Sequence, residues 1–258
     1  MKILATYNIK GGVGKTATAV NLSYLAARDG LRVLLADLDP QAAATYMLRV
    51  RPRVKGGGEA LIQGSREIDA AIKGTDFDNL DLLPADFTFR NLDLMLDATK
   101  KPTRRLARLL RPLGAFYDLI FLDCPPGISL LSESVLHAAD TVLVPIIPTT
   151  LSLRTLDQLT EFIDGFDGQR PEILAFCSMI DRRKRLHREI AERLPTERKD
   201  VAATAIPALS MIERMAVERS PVSAFAPRSA AARAYAGLWA DVRDTLCLNG
   251  TPEGVPPG

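Results

Sequence analysis

"ILATYNIKGGVGKTATAVNLSYLAAR", residues 3–28, decides the fold. Ile3–Tyr7 is a short apolar run with β-branched and aromatic residues, the signature of a strand. Thr16–Arg28 then changes to helical spacing, with Val20, Leu22, Leu25 and Ala26 marking a buried side. Between them, Gly11, Gly12 and Gly14 leave room for backbone N–H groups to turn inward around phosphate oxygens, and the next helix adds the positive end of its dipole. Lys15 takes the lysine place of the G-x-x-x-x-G-K-[ST] pattern, where it reaches the outer phosphates, and the Thr16 hydroxyl follows where a Mg²⁺ ligand belongs. Lys10 is a second lysine in a loop that needs one.

Outward from this unit, short apolar runs alternate with longer amphipathic ones. The expected strands are Ile3–Tyr7, Arg32–Asp37, Leu80–Pro84, Asp118–Asp123, Thr141–Ile147, Ile173–Met179 and Val201–Ile206, and Leu153–Phe166 is a further helix with a leucine and phenylalanine stripe. Several of the strands are apolar on both faces, as interior parallel strands are. The pattern predicts a single-domain α/β fold, a mostly parallel twisted sheet with helices on both faces. The domain is expected over 1–247, with 248–258, rich in Pro and Gly, as a flexible C-terminal tail, and 53–65 reads as a loop.

Composition narrows the class. The chain of 258 residues is 47% apolar and 25% charged, has a net charge of +2, and contains no unbroken apolar run long enough for a membrane span. Three widely spaced cysteines, Cys124, Cys177 and Cys247, fit reduced thiols of the cytoplasm better than a disulfide framework. With so small a net charge, affinity for nucleic acid has to come from a local patch.

Two more stretches carry chemistry. "YDLIFLDCPPG", 117–127, is an apolar strand that ends in Asp123. P-loop NTPases hold Mg²⁺ with such an aspartate, here through a water, whereas alone it would read as a turn cap. In "LLADLDPQAAAT", 34–45, Asp37 and Asp39 point the same way if the strand continues and diverge if it stops. A carboxylate there would orient the attacking water or hold the metal's water shell; otherwise it caps the turn before Pro40.

Taken together, "KGGVGKT" (10–16), "DLDPQ" (37–41), "DCPP" (123–126), "SMID" (178–181), "IP" (206–207) and "PRSAAARAY" (227–235) resemble the ParA/MinD family of deviant P-loop ATPases, most closely its ParA-type partition proteins. The resemblance implies ATP and Mg²⁺ as cofactors, bound by Gly11, Gly12, Val13, Gly14, Lys15, Thr16 and Ala17, with Met179, Asp181 and Pro207 near the adenine. It implies catalytic roles for Lys10, Lys15, Asp39 and Asp123, the metal being held by Thr16 and, through water, by Asp123 and Asp39. Lys10 matches the lysine that crosses to the partner's nucleotide in a homodimer with ATP at its interface. There it would neutralise charge on the transferred phosphate as an arginine finger does.

The family's ATP dimers bind nonspecific double-stranded DNA, so the resemblance implies that this chain acts on the nucleoid in the cytoplasm, with a ParB-like or cargo adaptor protein stimulating hydrolysis. Residues 182–199 carry eight Lys/Arg against three Glu, the strongest basic patch, and Arg183 falls at the family's DNA-contacting spacing with Arg182, Lys184 and Arg185 beside it. The chain departs from the family where "IPALSMIERMAVERSPVS" replaces the usual "RNVRLSEAPS" after "IP": Ala208 and Met211 stand in place of arginines, with Arg214, Arg219 and Arg228 nearby. Arg49, Arg51, Arg53 and Lys55 form another basic stretch outside the matched motifs. The competing expectations are a MinD-like membrane-surface ATPase, against which the Pro- and Gly-rich C-terminus argues, and a metabolic enzyme on the same scaffold.

Overall fold

The computed structural model describes residues 1–52, 54, 57–63 and 68–247. Seven strands, β1 (Lys2–Thr6), β2 (Val33–Asp37), β3 (Lys73–Gly74), β4 (Leu80–Leu83), β5 (Leu119–Asp123), β6 (Thr141–Ile146) and β7 (Glu172–Cys177), form one sheet in the order β3-β4-β2-β5-β1-β6-β7. Every pairing is parallel except β3 with β4. Six of the seven expected strands are therefore present, with ends shifted by one or two residues. β2, β5 and β6 are buried along their whole length, which explains why they read as unbroken apolar runs.

Strand β1 lies between β5 and β6, with β2 beyond β5. The chain leaves β1 toward one edge and later returns to fill the other side, so a crevice opens at the carboxyl ends of the central strands. One apolar core lies on each face of the sheet. The first gathers Leu34, Ile120, Val142, Val135 and Leu156; the second packs the glycine-loop helix α1 (Lys15–Arg28) through Val20, Leu22 and Leu25 against Tyr235, Leu238, Trp239 and Val242 of the C-terminal helix Ala230–Thr245. Trp239 Nε1 donates to Asp29 Oδ2 at 2.8 Å, tying the end of α1 to the body of the C-terminal helix.

Two expectations are corrected. Val201–Ile206 is no strand. It makes an isolated bridge at Val201, and Ala202 N and Ile206 N donate to Ala175 O and Cys177 O. The residues between are drawn off the sheet, because Thr204 N donates instead to Asp241 Oδ2 of the C-terminal helix. Gly237 makes this possible: a Cβ there would sit 3.1 Å from Thr204 Oγ1. The stretch 53–65 is not all loop, since Gly57–Gln63 is helical. Gly58 N donates to Thr88 Oγ1 at 2.8 Å, and a Cβ on Gly57 would meet that oxygen at 2.7 Å, so the glycines serve close packing. Arg53, Lys55 and the tail 248–258 lie outside the described residues.

Candidate functional site

The crevice at the strand ends is a cavity of about 370 Å³. One end is lined by Gly11, Gly12, Gly14, Lys15, Thr16, Ala17 and Asp39, the other by Met179, Ile206, Pro207, Leu209, Ile212 and Glu213. With Pro126 and Tyr235 also in the lining, the structure brings together residues from all six motifs of the sequence. Val13 is buried beneath the loop, and Lys10 and Asp181 are outside the lining.

The glycine loop is held in shape from outside itself. Asn8 Nδ2 donates to Pro145 O at 2.8 Å, while Asn8 Oδ1 accepts from Lys10 N at 2.9 Å. Ser178 Oγ donates to Val13 O at 2.9 Å. Gly14, at φ 96°, occupies the left-handed region just before α1 begins. A Cβ there would be strained and would also come within 3.1 Å of Ser178 Oγ. Asn8 and Ser178 carry no chemistry of their own, so sequence reading passes over them; the signal they offer is a polar residue at the end of an apolar strand.

Lys15 is buried, and its Nζ donates to Lys10 O at 3.0 Å and Asn8 O at 3.4 Å. Burial pushes its pKa down, opposed chiefly by Asp123. The Lys10 carbonyl thus serves the neighbouring lysine, while the Lys10 side chain stands outside the cavity that Lys15 lines.

Asp37 and Asp123 are register partners at the ends of β2 and β5, and both are fully buried. Asp37 is a tether: its Oδ2 accepts from Thr45 N at 2.8 Å and Thr45 Oγ1 at 2.7 Å, and its Oδ1 from Asp39 N at 3.2 Å. Burial raises its pKa to about 6. The strand ends at Asp37 and the two carboxylates part, Asp37 turning to Thr45 and Asp39 to the cavity. Asp123 Oδ1 accepts from Thr6 Oγ1 at 3.4 Å, but Oδ2 is buried with no hydrogen-bond partner. Burial raises its pKa well above the ordinary range and Asp37 adds to the shift; the Thr16 hydroxyl and Lys15 draw it back.

An unpartnered buried carboxylate oxygen facing a threonine hydroxyl suits a hard divalent cation. Among the described residues no group of three or more His, Cys, Asp or Glu side chains forms a ligand cluster, so any such ion would need most of its ligands from water and from phosphate oxygens. That is how Mg²⁺ is held in phosphoryl-transfer sites.

The segment after β7 links this cavity to the basic patch. Met179 has φ 54° and lines the cavity; two residues later Asp181 is clasped by Arg183, whose Nε and Nη2 reach its two carboxylate oxygens at 3.0 Å each. This pairing holds Asp181 at about 2. The helix Arg185–Glu197 buries His187, Ile190 and Leu194 and exposes its charges. Several of those charges are matched internally, Arg185 by Glu189 and Arg193 by Glu197; among the described residues Arg182, Lys184 and Arg188 make no ion pair. Arg214 pairs with Glu218, and Arg219 stacks on Tyr46 while its Nε donates to Tyr46 O. Arg228 is exposed.

A parallel sheet with a glycine loop between its central strand and the next helix, lysine and threonine at the head of that helix, and a strand-end aspartate beside them define a P-loop nucleotide-binding protein. Residues 1–175 match the AAA domain family. The sporulation initiation inhibitor protein Soj of Bacillus subtilis strain 168 is 32% identical over 247 residues, covering 93% of this chain and 98% of its own. The chromosome partitioning protein ParA of Caulobacter vibrioides is 35% identical over 200 residues, 74% of each chain. A crystal structure of cobyrinic acid a,c-diamide synthase from Mycobacterium smegmatis with bound ADP and magnesium superposes at a TM-score of 0.73 and 29% identity, covering 85% of this chain and 91% of that one. The chain belongs to the ParA family of P-loop ATPases. No helix among the described residues is long and apolar enough to cross a membrane.

Proposed function

We propose that this protein is an ATP-switched positioning ATPase: two copies close face to face on two ATP molecules, and the closed dimer holds nonspecific double-stranded DNA while it moves or segregates a cargo. The observation that carries this reading is the pair of lysines in one loop, Lys15 buried at the phosphate end of the cavity and Lys10 outside it. Backbone N–H groups of Gly11 to Ala17 cradle the phosphates, and Lys15 balances their charge. Thr16, with Asp123 and Asp39 acting through water, holds Mg²⁺, which supplies electrostatic stabilisation of the transferred phosphoryl group. Asp39 orients the attacking water, and Lys10 reaches the nucleotide of the facing copy.

Met179 and Pro207 flank the base, with Asp181 behind them as the link to the DNA face rather than a direct contact. Arg182, Arg183, Lys184 and Arg185 meet DNA phosphates, a contact indifferent to sequence and weakened by salt; Arg214, Arg219 and Arg228 lie on the segment that follows the base end of the cavity. A ParB-like or cargo adaptor stimulates hydrolysis and resets the dimer, and the site of action is the nucleoid. The likeness to a solved synthase favours one second reading, a metabolic enzyme on the same scaffold. Duplex-DNA binding with ATP, with ADP and with no nucleotide separates them: retention with ATP alone supports the switch, and equal or absent binding in all three supports the enzyme.

A further inference from the structure

We infer that Glu213 selects adenine, by accepting a hydrogen bond from the 6-amino group of the base, so that a purine carrying a 6-oxo group is rejected. This rests on the nucleotide reading of the cavity and names what decides its base.

The end of the cavity away from the glycine loop is built from two crossing segments. Ile180 N donates to Ile206 O at 3.1 Å and Ala208 N to Ile180 O at 3.0 Å, which sets Met179 and Pro207 side by side. The side chains at this end are almost all apolar: Met179, Ile206, Pro207, Ala208, Leu209 and Ile212. They give a flat base somewhere to pack, but any purine would serve equally. Ser178 and Tyr235 add hydroxyl groups to the lining, Ser178 Oγ being bonded to Val13 O, and among the described residues Glu213 is the one charged side chain at this end. It closes the short helix Ser210–Glu213 and lines the same cavity. It is exposed, and among the described residues its carboxylate makes no hydrogen bond and no ion pair, the adjacent Arg214 being paired with Glu218.

A carboxylate accepts and cannot donate, so it favours a ligand that presents an N–H and repels one that presents a carbonyl oxygen. The triphosphate lies at the other end, where Lys15 and the helix terminus are. The base of ATP has one N–H donor, its 6-amino group; a 6-oxo purine puts an acceptor at that position and carries its donor at N1 instead, so a carboxylate facing position 6 tells the two apart. Asp39, the other carboxylate in the lining, sits at the phosphate end and has no access to the base.

The test compares binding of ATP, inosine triphosphate and 2′-deoxy-ATP by wild-type protein, Glu213→Gln and Glu213→Ala. Wild type should prefer ATP over inosine triphosphate by about ten- to a hundredfold, the effect of one hydrogen bond to a charged group. Glu213→Gln, whose amide can turn its N–H toward a 6-oxo group, should narrow that ratio by at least tenfold. Glu213→Ala should lose ATP affinity without gaining any for inosine triphosphate, and the ratio of ATP to 2′-deoxy-ATP should stay at its wild-type value in both variants. An unchanged ATP to inosine triphosphate ratio in the variants overturns the inference while leaving the nucleotide site intact. So does a change confined to 2′-deoxy-ATP, which would place Glu213 on the ribose. Wild-type protein that binds none of the three nucleotides removes the nucleotide reading and the inference together.

Discussion

Replacing Thr45 by valine should destabilise the protein by about 2–5 kcal/mol and slow ATP turnover from a residue that lies outside the cavity lining. The Thr45 hydroxyl donates to Asp37 Oδ2 at 2.7 Å and accepts from Ala85 N at 2.9 Å, and all three residues are fully buried. Valine keeps the shape and removes both functions. Loss of a hydrogen bond to a carboxyl group costs about 1.5–3 kcal/mol, and a buried N–H left without an acceptor a further 1–3 kcal/mol or so. The added methyl group recovers roughly 0.8 kcal/mol. Asp37 Oδ1 also accepts from Asp39 N, so loosening the tether shifts Asp39 away from its place beside the phosphates. Urea unfolding followed by circular dichroism measures the first effect, and steady-state ATP hydrolysis the second. Thr45→Ser, which keeps the hydroxyl, should remain within about 1 kcal/mol of wild type. A valine variant that loses less than 1 kcal/mol would refute the tether, because two buried hydrogen bonds cannot disappear so cheaply.

Gly14→Ala forces a Cβ into φ 96° and to 3.1 Å from Ser178 Oγ, so fluorescent-nucleotide affinity should fall more than tenfold; a change below twofold contradicts the loop geometry. Arg182→Glu with Arg183→Glu should abolish ATP-dependent retention on duplex DNA and leave dimerisation intact, and retention at unchanged salt counts against that surface. His187 Nδ1 accepts from Asp181 N at 3.2 Å, and burial lowers its pKa below 6.5. The neutral ring is the folded form, so its contribution is present above pH 6.5 and lost as pH falls through the lowered value. Protection of the Asp181 amide against hydrogen exchange should accordingly drop as the pH falls below 6.5 and through the lowered His187 value, and protection that stays unchanged down to the acid limit of folding would contradict the role of the ring.

The central sheet was legible because parallel strands buried on both faces leave unbroken apolar runs, and the glycine loop because its residue types are demanded by backbone geometry. β3 carries no such mark: two exposed residues, Lys73 and Gly74, pair at the edge through backbone alone. Val201–Ile206 has the composition of a strand, and only the reach of Asp241 from the C-terminal helix shows why its middle leaves the sheet. In the site, Lys15, Thr16 and Asp123 are visible because their chemistry and position coincide. Thr45 and Glu213 are not, since each acts through a neighbour that the fold supplies: Asp37 eight residues before Thr45, and the cavity beside Glu213. Arg219 has a structural role that the sequence does not reveal: its guanidinium lies over the Tyr46 ring and its Nε donates to the Tyr46 carbonyl.

The most direct test of the two-lysine loop is sedimentation velocity of the wild-type protein and of Lys10→Ala, each with ATP, ADP and no nucleotide. The account predicts a dimer for the wild type with ATP alone, and a monomer for Lys10→Ala in all three conditions despite near wild-type nucleotide affinity. A Lys10→Ala protein that dimerises with ATP and turns it over as the wild type does would contradict it.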